Sequence, residues 1–600
     1  MQRRRYRAAA LSAGMAVLAV TAGAATPAAA APAGPSDALD ITLLATTDLH
    51  GRVQDWDYFK DARYTESAGY ATGLARVGSV VDQVRADKGE DSVLVVDNGD
   101  FLQGTPLSYY YARQEPVTET GAEHPMAAAY DAIGYDAQVV GNHEFNYGLD
   151  LLQAYTDDVD HPVLGANVVD AATGEPYLQP YTLQRVQVPG HKPVTVGILG
   201  LTTPGSAIWD RGNVEGRVEF QDMVEAAETW VPVVDRQADV VVVLSHAGVG
   251  GTSSYDPAQA PTENPTDVIA RTVPGIDAMV VGHTHRNAPS QVVSNEVTGE
   301  DVLLTQPYRW GATVSQVDIG LEKVRGQWDV VSTAATALRT DRYPEDPEVL
   351  AATADAHART VEYVNQVVAT SAEALPAATS PWEDTPILDF IQDVQTDTVD
   401  AALEGTQYGD LPVLSIAAPF SRDAVFPQGD VTVRDIAGLY VYDNTLEAVT
   451  LTGAQVRAYL EYSARYYRTA PATGAVDPAS LTNAVAAEAP NGIPDYNDDQ
   501  LSGVTYDVDV AQPVGSRIVG LSYEGRPVAD DEVFVVAVNN YRRSGGGGFP
   551  GISTAPVVYD EQQEIRQLLI DRAQSTGVID PADFAVENWR LVRDGEPLVP

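Results

Sequence analysis

Five times between residues 41 and 285, a short apolar run stops at a cluster of residues of the kind that ligate metals. Residues 41–46 lead to Asp48-Leu49-His50, residues 92–96 to Asp97-Asn98-Gly99-Asp100, and residues 137–140 to Gly141-Asn142-His143-Glu144. Residues 240–244 lead to Ser245-His246, and residues 278–281 to Gly282-His283-Thr284-His285. Runs that are apolar throughout suit strands covered on both faces. Helix-like stretches at 73–86 and 224–234 lie between them, and that alternation argues for a layered α/β domain. Sites in such sheets form beyond the carboxyl ends of the strands, so the five clusters are expected to meet in space.

The residue types narrow the chemistry. Of the 9 histidines, five (His50, His143, His246, His283 and His285) fall inside these clusters. There are 0 cysteines, which excludes thiolate ligands and a cysteine nucleophile. Imidazole, carboxylate and amide oxygen together suit zinc, manganese, iron, cobalt or a similar divalent ion. Two such ions need a bridging carboxylate, and both Asp97 and Asp100 are placed to supply it. A pair of ions clamps a phosphoryl group and activates a water, so the set reads as phosphoester hydrolysis by a metal-activated hydroxide. The formal net charge of −47 disfavours a nucleic-acid polymer as partner. It also means that an anionic small molecule needs strong local positive charge, which bound divalent ions supply.

A chain of 600 residues exceeds one hydrophobic core, so two large domains are expected. Arg3-Arg4-Arg5, an Ala-rich apolar stretch at 8–25 and small residues at 28–31 read as a secretory signal peptide over 1–31, cleaved near Ala31. That stretch is short for a membrane span, so no stable anchor is expected and the mature protein is placed outside the cytoplasm. The Ala-, Glu- and Val-rich segment at 344–368 reads as a linking helix within a linker at 341–375. It divides a region at 38–340 from a second at 376–600, where a helix is expected near 454–466, strands over 503–538 and a surface loop over 469–491.

In order and in full, Asp48-Leu49-His50, Gly99-Asp100, Gly141-Asn142-His143-Glu144, Ser245-His246 and Gly282-His283-Thr284-His285 resemble the calcineurin-like metallophosphoesterase superfamily. The resemblance implies a four-layer domain, a β-sandwich flanked by helices. It implies that Asp48, His50 and His285 hold one metal, that Asn142, His246 and His283 hold the other, and that Asp100 bridges them. His143 would face the phosphate as a catalytic group, and Glu144 would be structural.

Nearly the whole chain further resembles the 5′-nucleotidase and 2′,3′-cyclic-nucleotide 2′-phosphodiesterase/3′-nucleotidase family, whose α+β C-terminal domain binds the nucleotide. Arg422 in Phe420-Ser421-Arg422-Asp423 looks like its phosphate- or ribose-side arginine. Tyr496-Asn497 and the later Asn539-Asn540-Tyr541-Arg542, with Phe549 beyond a glycine run, look like its base clamp. Tyr496 is expected as one face, while Tyr541, Phe549 and a backbone contact compete for the other. Asn146 stands where 5′-nucleotidases carry an aspartate paired with the histidine. Together with the run at 55–61 and Tyr496-Asn497, it resembles the cyclic-phosphodiesterase branch, although that branch often has an aromatic where Asp498 stands. The implied activity is hydrolysis of 2′,3′-cyclic nucleotides and nucleoside 3′-phosphates for salvage. A 5′-nucleotidase of broader range is the alternative, and a non-catalytic binding protein on the same fold is the second.

Overall fold

A computed structural model describes residues 38–64, 69–255, 258–484 and 492–599. The expected signal peptide lies outside these residues. Among them, no helix is long and apolar enough to cross a membrane.

Residues 38–340 build two six-stranded sheets packed face to face. The first runs in the order Gln327–Arg339, Thr313–Val324, Ala38–Thr46, Val93–Asp97, Ala137–Val139, Val163–Leu164. The second runs Asn287–Ser294, Asp301–Pro307, Ala278–Val281, Val240–His246, Val194–Thr202, Tyr181–Val186. Alternation along each strand does the packing. Ile41, Leu43 and Ala45 meet Val240, Val242 and Leu244 in the core between the sheets, while Leu44 and Val243 join other clusters. The helix Leu74–Lys88 buries Leu74, Val77, Val81 and Val84 at helical spacing against the first sheet. The helix Met223–Asp235, capped by Asp222 onto the amides of Val224 and Glu225, covers the second. The outcome is the four-layer α/β architecture. The five motif-bearing strands, however, are shared between two sheets, three in one and two in the other.

The segment expected as one linking helix is two, Pro347–Ala352 and Ala354–Val364, broken at Thr353, and it is followed by the strand Val367–Ser371. Residues beyond it form an α+β region. A five-stranded sheet, Gln500–Ser502, Val413–Ala417, Val533–Asn539, Thr445–Thr452, Val557–Glu564, carries the helix Pro386–Leu403 on one side. The helix Gly453–Ser463 lies on the other side, with a second five-stranded sheet beyond it. The layer under the first sheet of the sandwich is continuous with this region: Val349, Ile387, Ile391 and Ile565 belong to the same apolar cluster as Leu44 and Leu74. The described residues from Ala38 onward belong to one compact unit.

Candidate active site

Parallel pairing sets the clusters side by side. Ala38–Thr46 pairs with Val93–Asp97 so that Thr46 faces Asp97. The two loops stay zipped beyond the sheet, Asp48 N donating to Gly99 O (2.8 Å) and His50 N to Asp100 O (2.8 Å). In the second sheet Ser245 faces Val281, which brings His246 beside His283.

The backbone at this rim is held in an unusual conformation. Asp48 (φ 53°), His50 (φ 49°), Asp100 (φ 62°), His283 (φ 65°) and His285 (φ 50°) all occupy the left-handed region. Non-glycine residues adopt it rarely and at a cost, and such strain collects at functional sites. Here it turns side chains from several strand ends toward one point. Two glycines make room for the approach. A Cβ on Gly99 would lie 2.7 Å from His246 Nδ1, and one on Gly141 2.2 Å from Asp100 Oδ1.

The side chains then fall into contiguous sets. Donor atoms of Asp48, His50 and His285 lie within 4.8 Å of one another, and so do those of Asp100, His246 and His283. His50 Nε2 and His285 Nε2 are 2.9 Å apart, and His285 Nε2 is 3.3 Å from Asp48 Oδ1. His246 Nε2 stands 3.0 Å from Asp100 Oδ2, and His283 Nδ1 stands 2.9 Å from Asn142 Oδ1. Asp100 Oδ2 is also 3.9 Å from His50 Nε2, so it faces both sets. Ring nitrogens and carboxylate oxygens that converge in this way make a donor set suited to divalent cations.

Burial raises the carboxyl of Asp48, but the charge of His285, its hydrogen bond and the charge of His246 bring it below the ordinary value. Asp100 is drawn well below that value, the charges of His246 and His143 outweighing burial. Burial, with the charges of His285 and His143, lowers His50 to about 3. Ionised carboxylates and a neutral imidazole are the forms that ligate; against its burial, Asp100 and Asp48 raise His246 to about 10, so it would release a proton on binding an ion.

Other groups hold these side chains in place. His50 Nδ1 donates to Gln103 O (2.9 Å) and His246 Nδ1 to Asn98 O (2.6 Å), leaving each Nε2 facing inward. His283 is turned the other way round. Its Nε2 is 2.9 Å from Glu263 Oε1 and its ring stacks on Trp209 at 5.6 Å, so Nδ1 faces inward. Such outer partners fix the tautomer and orientation of a ligating histidine. Asp97 is not turned to the site: its oxygens accept from Thr46 Oγ1 and Gly99 N. Glu144 is a buried brace that accepts from the amides of Asp100, Phe101, Leu102 and Gly141.

His143 lies at the rim, Nε2 4.0 Å from Asp100 Oδ2. Its Nδ1 donates to Asn146 Oδ1 (2.6 Å), and Asn146 Nδ2 donates to Asp210 Oδ1 (2.6 Å). Burial lifts Asp210 to about 7, against the Asn146 hydrogen bond and the charge of His143.

The expected nucleotide-side residues divide. Tyr496 and Tyr541 lie together with ring centroids 6.5 Å apart, and Tyr442 joins them at 5.9 Å from Tyr496. Tyr442 and Tyr541 are each 38% exposed. Phe549 is packed between Tyr459 and Tyr462, at 4.5 and 4.9 Å, under the Arg542 guanidinium. Its ring offers no open face, and it is a core residue. Asn497 is likewise buried, accepting from Arg542 Nη1 (3.1 Å). Arg422 is forked onto Asp495, with bonds of 2.5 and 2.9 Å, and so braces the loop that carries Tyr496. Asp443, next to Tyr442, accepts from Gln103 Nε2 (2.5 Å) and Tyr147 OH (2.9 Å) and pairs with Arg566. Gln103 also holds His50, so the aromatic group and the ligand cluster share neighbours.

Glu263, Asp210, Trp209, Tyr442 and Asp443 were not singled out from the sequence. Only Tyr442-Asp443 carried a local signal, an aromatic-acid pair just before a strand.

A layered sandwich with these donors at its strand ends defines a metallophosphoesterase. The family model for calcineurin-like phosphoesterases matches residues 41–287, and that for the 5′-nucleotidase C-terminal domain matches residues 367–554. The chain is 33% identical to the 2′,3′-cyclic-nucleotide 2′-phosphodiesterase/3′-nucleotidase of Haemophilus influenzae, over 93% of this chain and 88% of that one. It is 32% identical, over 94% of its length, to the trifunctional nucleotide phosphoesterase protein YfkN of Bacillus subtilis, but spans only 40% of that longer protein. Its fold matches a putative 5′-nucleotidase from Staphylococcus aureus at a TM-score of 0.70 and 24% identity, covering 92% of this chain and 100% of that one. The chain belongs to the 5′-nucleotidase family of calcineurin-like metallophosphoesterases, which are metal-dependent phosphoric ester hydrolases.

Proposed function

We propose that this chain is an exported nucleotide phosphohydrolase that opens 2′,3′-cyclic nucleotides to nucleoside 3′-phosphates and then releases phosphate, for nucleotide salvage. In this reading residues 38–340 are catalytic, 341–375 link, and 376–600 bind the nucleotide. Export rests on the basic, apolar and small-residue pattern of 1–31.

Asp48, His50 and His285 would hold one divalent ion, and Asn142, His246 and His283 a second, with Asp100 between them. Manganese, zinc, iron and cobalt all suit these donors. Bound ions lower the pKa of an attacking water and offset charge on the phosphoryl oxygens. The chain's own groups do the rest. His143, with Nδ1 tied to Asn146, turns Nε2 toward the reacting phosphate, where it steadies charge and assists the leaving oxygen. Tyr541 and Tyr496, with Tyr442 beside them, offer aromatic faces for a base of any identity. Arg422 and Asn497 act by holding the Tyr496 loop.

The observation that carries the cyclic and 3′ preference is the pairing of His143 with an amide, Asn146, at 2.6 Å where the 5′-nucleotidase pattern has a carboxylate. The name of the Haemophilus relative supports it. Purified protein supplied with manganese is expected to hydrolyse 2′,3′-cyclic AMP and 3′-AMP faster than 5′-AMP. A strong preference for 5′-AMP with no cyclic activity would sink the assignment and favour a 5′-nucleotidase.

A further inference from the structure

Asp210 has an odd position. It stands at the N-cap of the short helix Arg211–Val214, yet its side chain caps nothing. It is 5% exposed; Oδ1 accepts from Asn146 Nδ2 (2.6 Å), and Oδ2 is buried without a hydrogen-bond partner among the described residues. Burying a carboxylate is costly, and among the described residues neither a cap nor a salt bridge to a lysine or arginine offsets the cost. The same helix grips Asn146 a second time, Asn213 Nδ2 donating to Asn146 O (2.9 Å).

The direction of these bonds follows from what each group can do. Above a pH of about 7 Asp210 is ionised and an ionised carboxylate only accepts, so it turns the Asn146 amide nitrogen toward itself and the amide oxygen toward His143. That oxygen accepts from His143 Nδ1 (2.6 Å). The ring hydrogen is thereby kept on Nδ1, and Nε2 is the nitrogen left facing the reaction side. An amide alone cannot enforce this, because a reversed amide would present its own N–H₂ to Nδ1 and move the hydrogen to Nε2.

We propose that Asp210 is a positioning residue which, through Asn146, fixes the tautomer and orientation of His143. The carboxylate found directly on the histidine in 5′-nucleotidases is here displaced outward by one side chain. The inference rests on the catalytic role given above to His143, so that role is tested alongside it.

The test is a cycle of four variants, assayed at pH 8 with manganese on 3′-AMP and on p-nitrophenyl phosphate. Asp210→Asn frees the amide to turn, and kcat on 3′-AMP is expected to fall on the order of 10²-fold, with KM and bound metal little changed. The loss should be smaller on p-nitrophenyl phosphate, whose leaving oxygen needs less help. Asn146→Asp sets two carboxylates face to face, so one of them holds a proton and an acceptor still faces His143 Nδ1; it should lose less activity than Asp210→Asn. Asn146→Asp/Asp210→Asn restores the order of donors and acceptors, and is expected to recover most of the lost kcat. Full activity of Asp210→Asn, or a double variant no better than the worse single one, would overturn the proposal while leaving the His143 reading intact. If His143→Ala keeps full turnover, that reading fails and the proposal with it. Because the two side chains touch, their effects on stability are coupled, so thermal unfolding of each variant is read as well; a fall in kcat that only follows a fall in melting temperature would overturn the proposal.

Discussion

Replacing Glu263 by glutamine should weaken metal binding although size and shape are kept. Glu263 is 6% exposed. Burial raises its carboxyl, but the hydrogen bond and charge of His283 bring it below the usual range, so it is ionised. One oxygen faces His283 Nε2 at 2.9 Å and the other accepts from Ser254 N. Both partners are donors, so the site needs two acceptors. Glutamine supplies one acceptor and one donor, and either orientation sets two N–H groups against each other. The charge-assisted bond to His283 is worth about 1.5–3 kcal/mol. At about 1.4 kcal/mol per tenfold this is roughly a 10- to 150-fold loss of affinity. It agrees with the roughly 10- to 100-fold usual when the outer partner of a ligating histidine is removed. Calorimetric titration of metal-stripped protein with manganese at fixed pH reads the effect, with thermal unfolding as a check on the fold. Glu263→Gln binding manganese as tightly as the parent would refute the idea that His283 ligates through Nδ1 while Glu263 holds Nε2.

Three further outcomes are expected. His143→Ala should retain metal, read by elemental analysis, while turnover falls by about 10²–10⁴; loss of metal would mean that His143 is a ligand. Tyr541→Ala should raise KM for 3′-AMP by about 5- to 150-fold, the worth of one stacking contact of ~1–3 kcal/mol, and leave p-nitrophenyl phosphate unaffected; equal losses on both would remove the tyrosine from the base clamp. Burial and the neighbouring Asp384 raise Asp389 to about 8, so the folded chain takes up a proton more readily than the unfolded one. Stability is therefore lost as pH rises from about 4 to about 8. Asp389→Asn, whose oxygen can still accept from Val586 N, should melt higher than the parent at pH 8 and show no such gain near pH 4.

The convergence of Asp48, His50, Asp100, His246, His283 and His285 was legible because their segments follow apolar runs, and a parallel strand delivers its carboxyl end to a predictable edge. Asp48, Asp100 and His246 needed no more than that. The resemblance implied a sandwich, but which strand lies in which sheet was not legible, since an apolar run covered on both faces reads the same in either sheet. Glu263 and Asp210 lie in loops with no periodic signal, and their contacts with His283 and Asn146 are set by the fold alone. Phe549 illustrates the converse. Its segment matched a pattern, but a glycine-rich turn folded the ring into the core and left Tyr541 and Tyr442 at the surface. Asp97 and Asp100, both open as bridge from the sequence, are separated by geometry, one bound to Thr46 and one facing both donor sets.

Side chains from Asp48 to His285 are expected to form one site for two ions. Anomalous diffraction from crystals grown with manganese tests it directly. Two peaks are expected, one among Asp48, His50 and His285 and one among Asn142, His246 and His283, both touching Asp100. A single peak, or two peaks without Asp100 between them, would rule out a shared two-ion site.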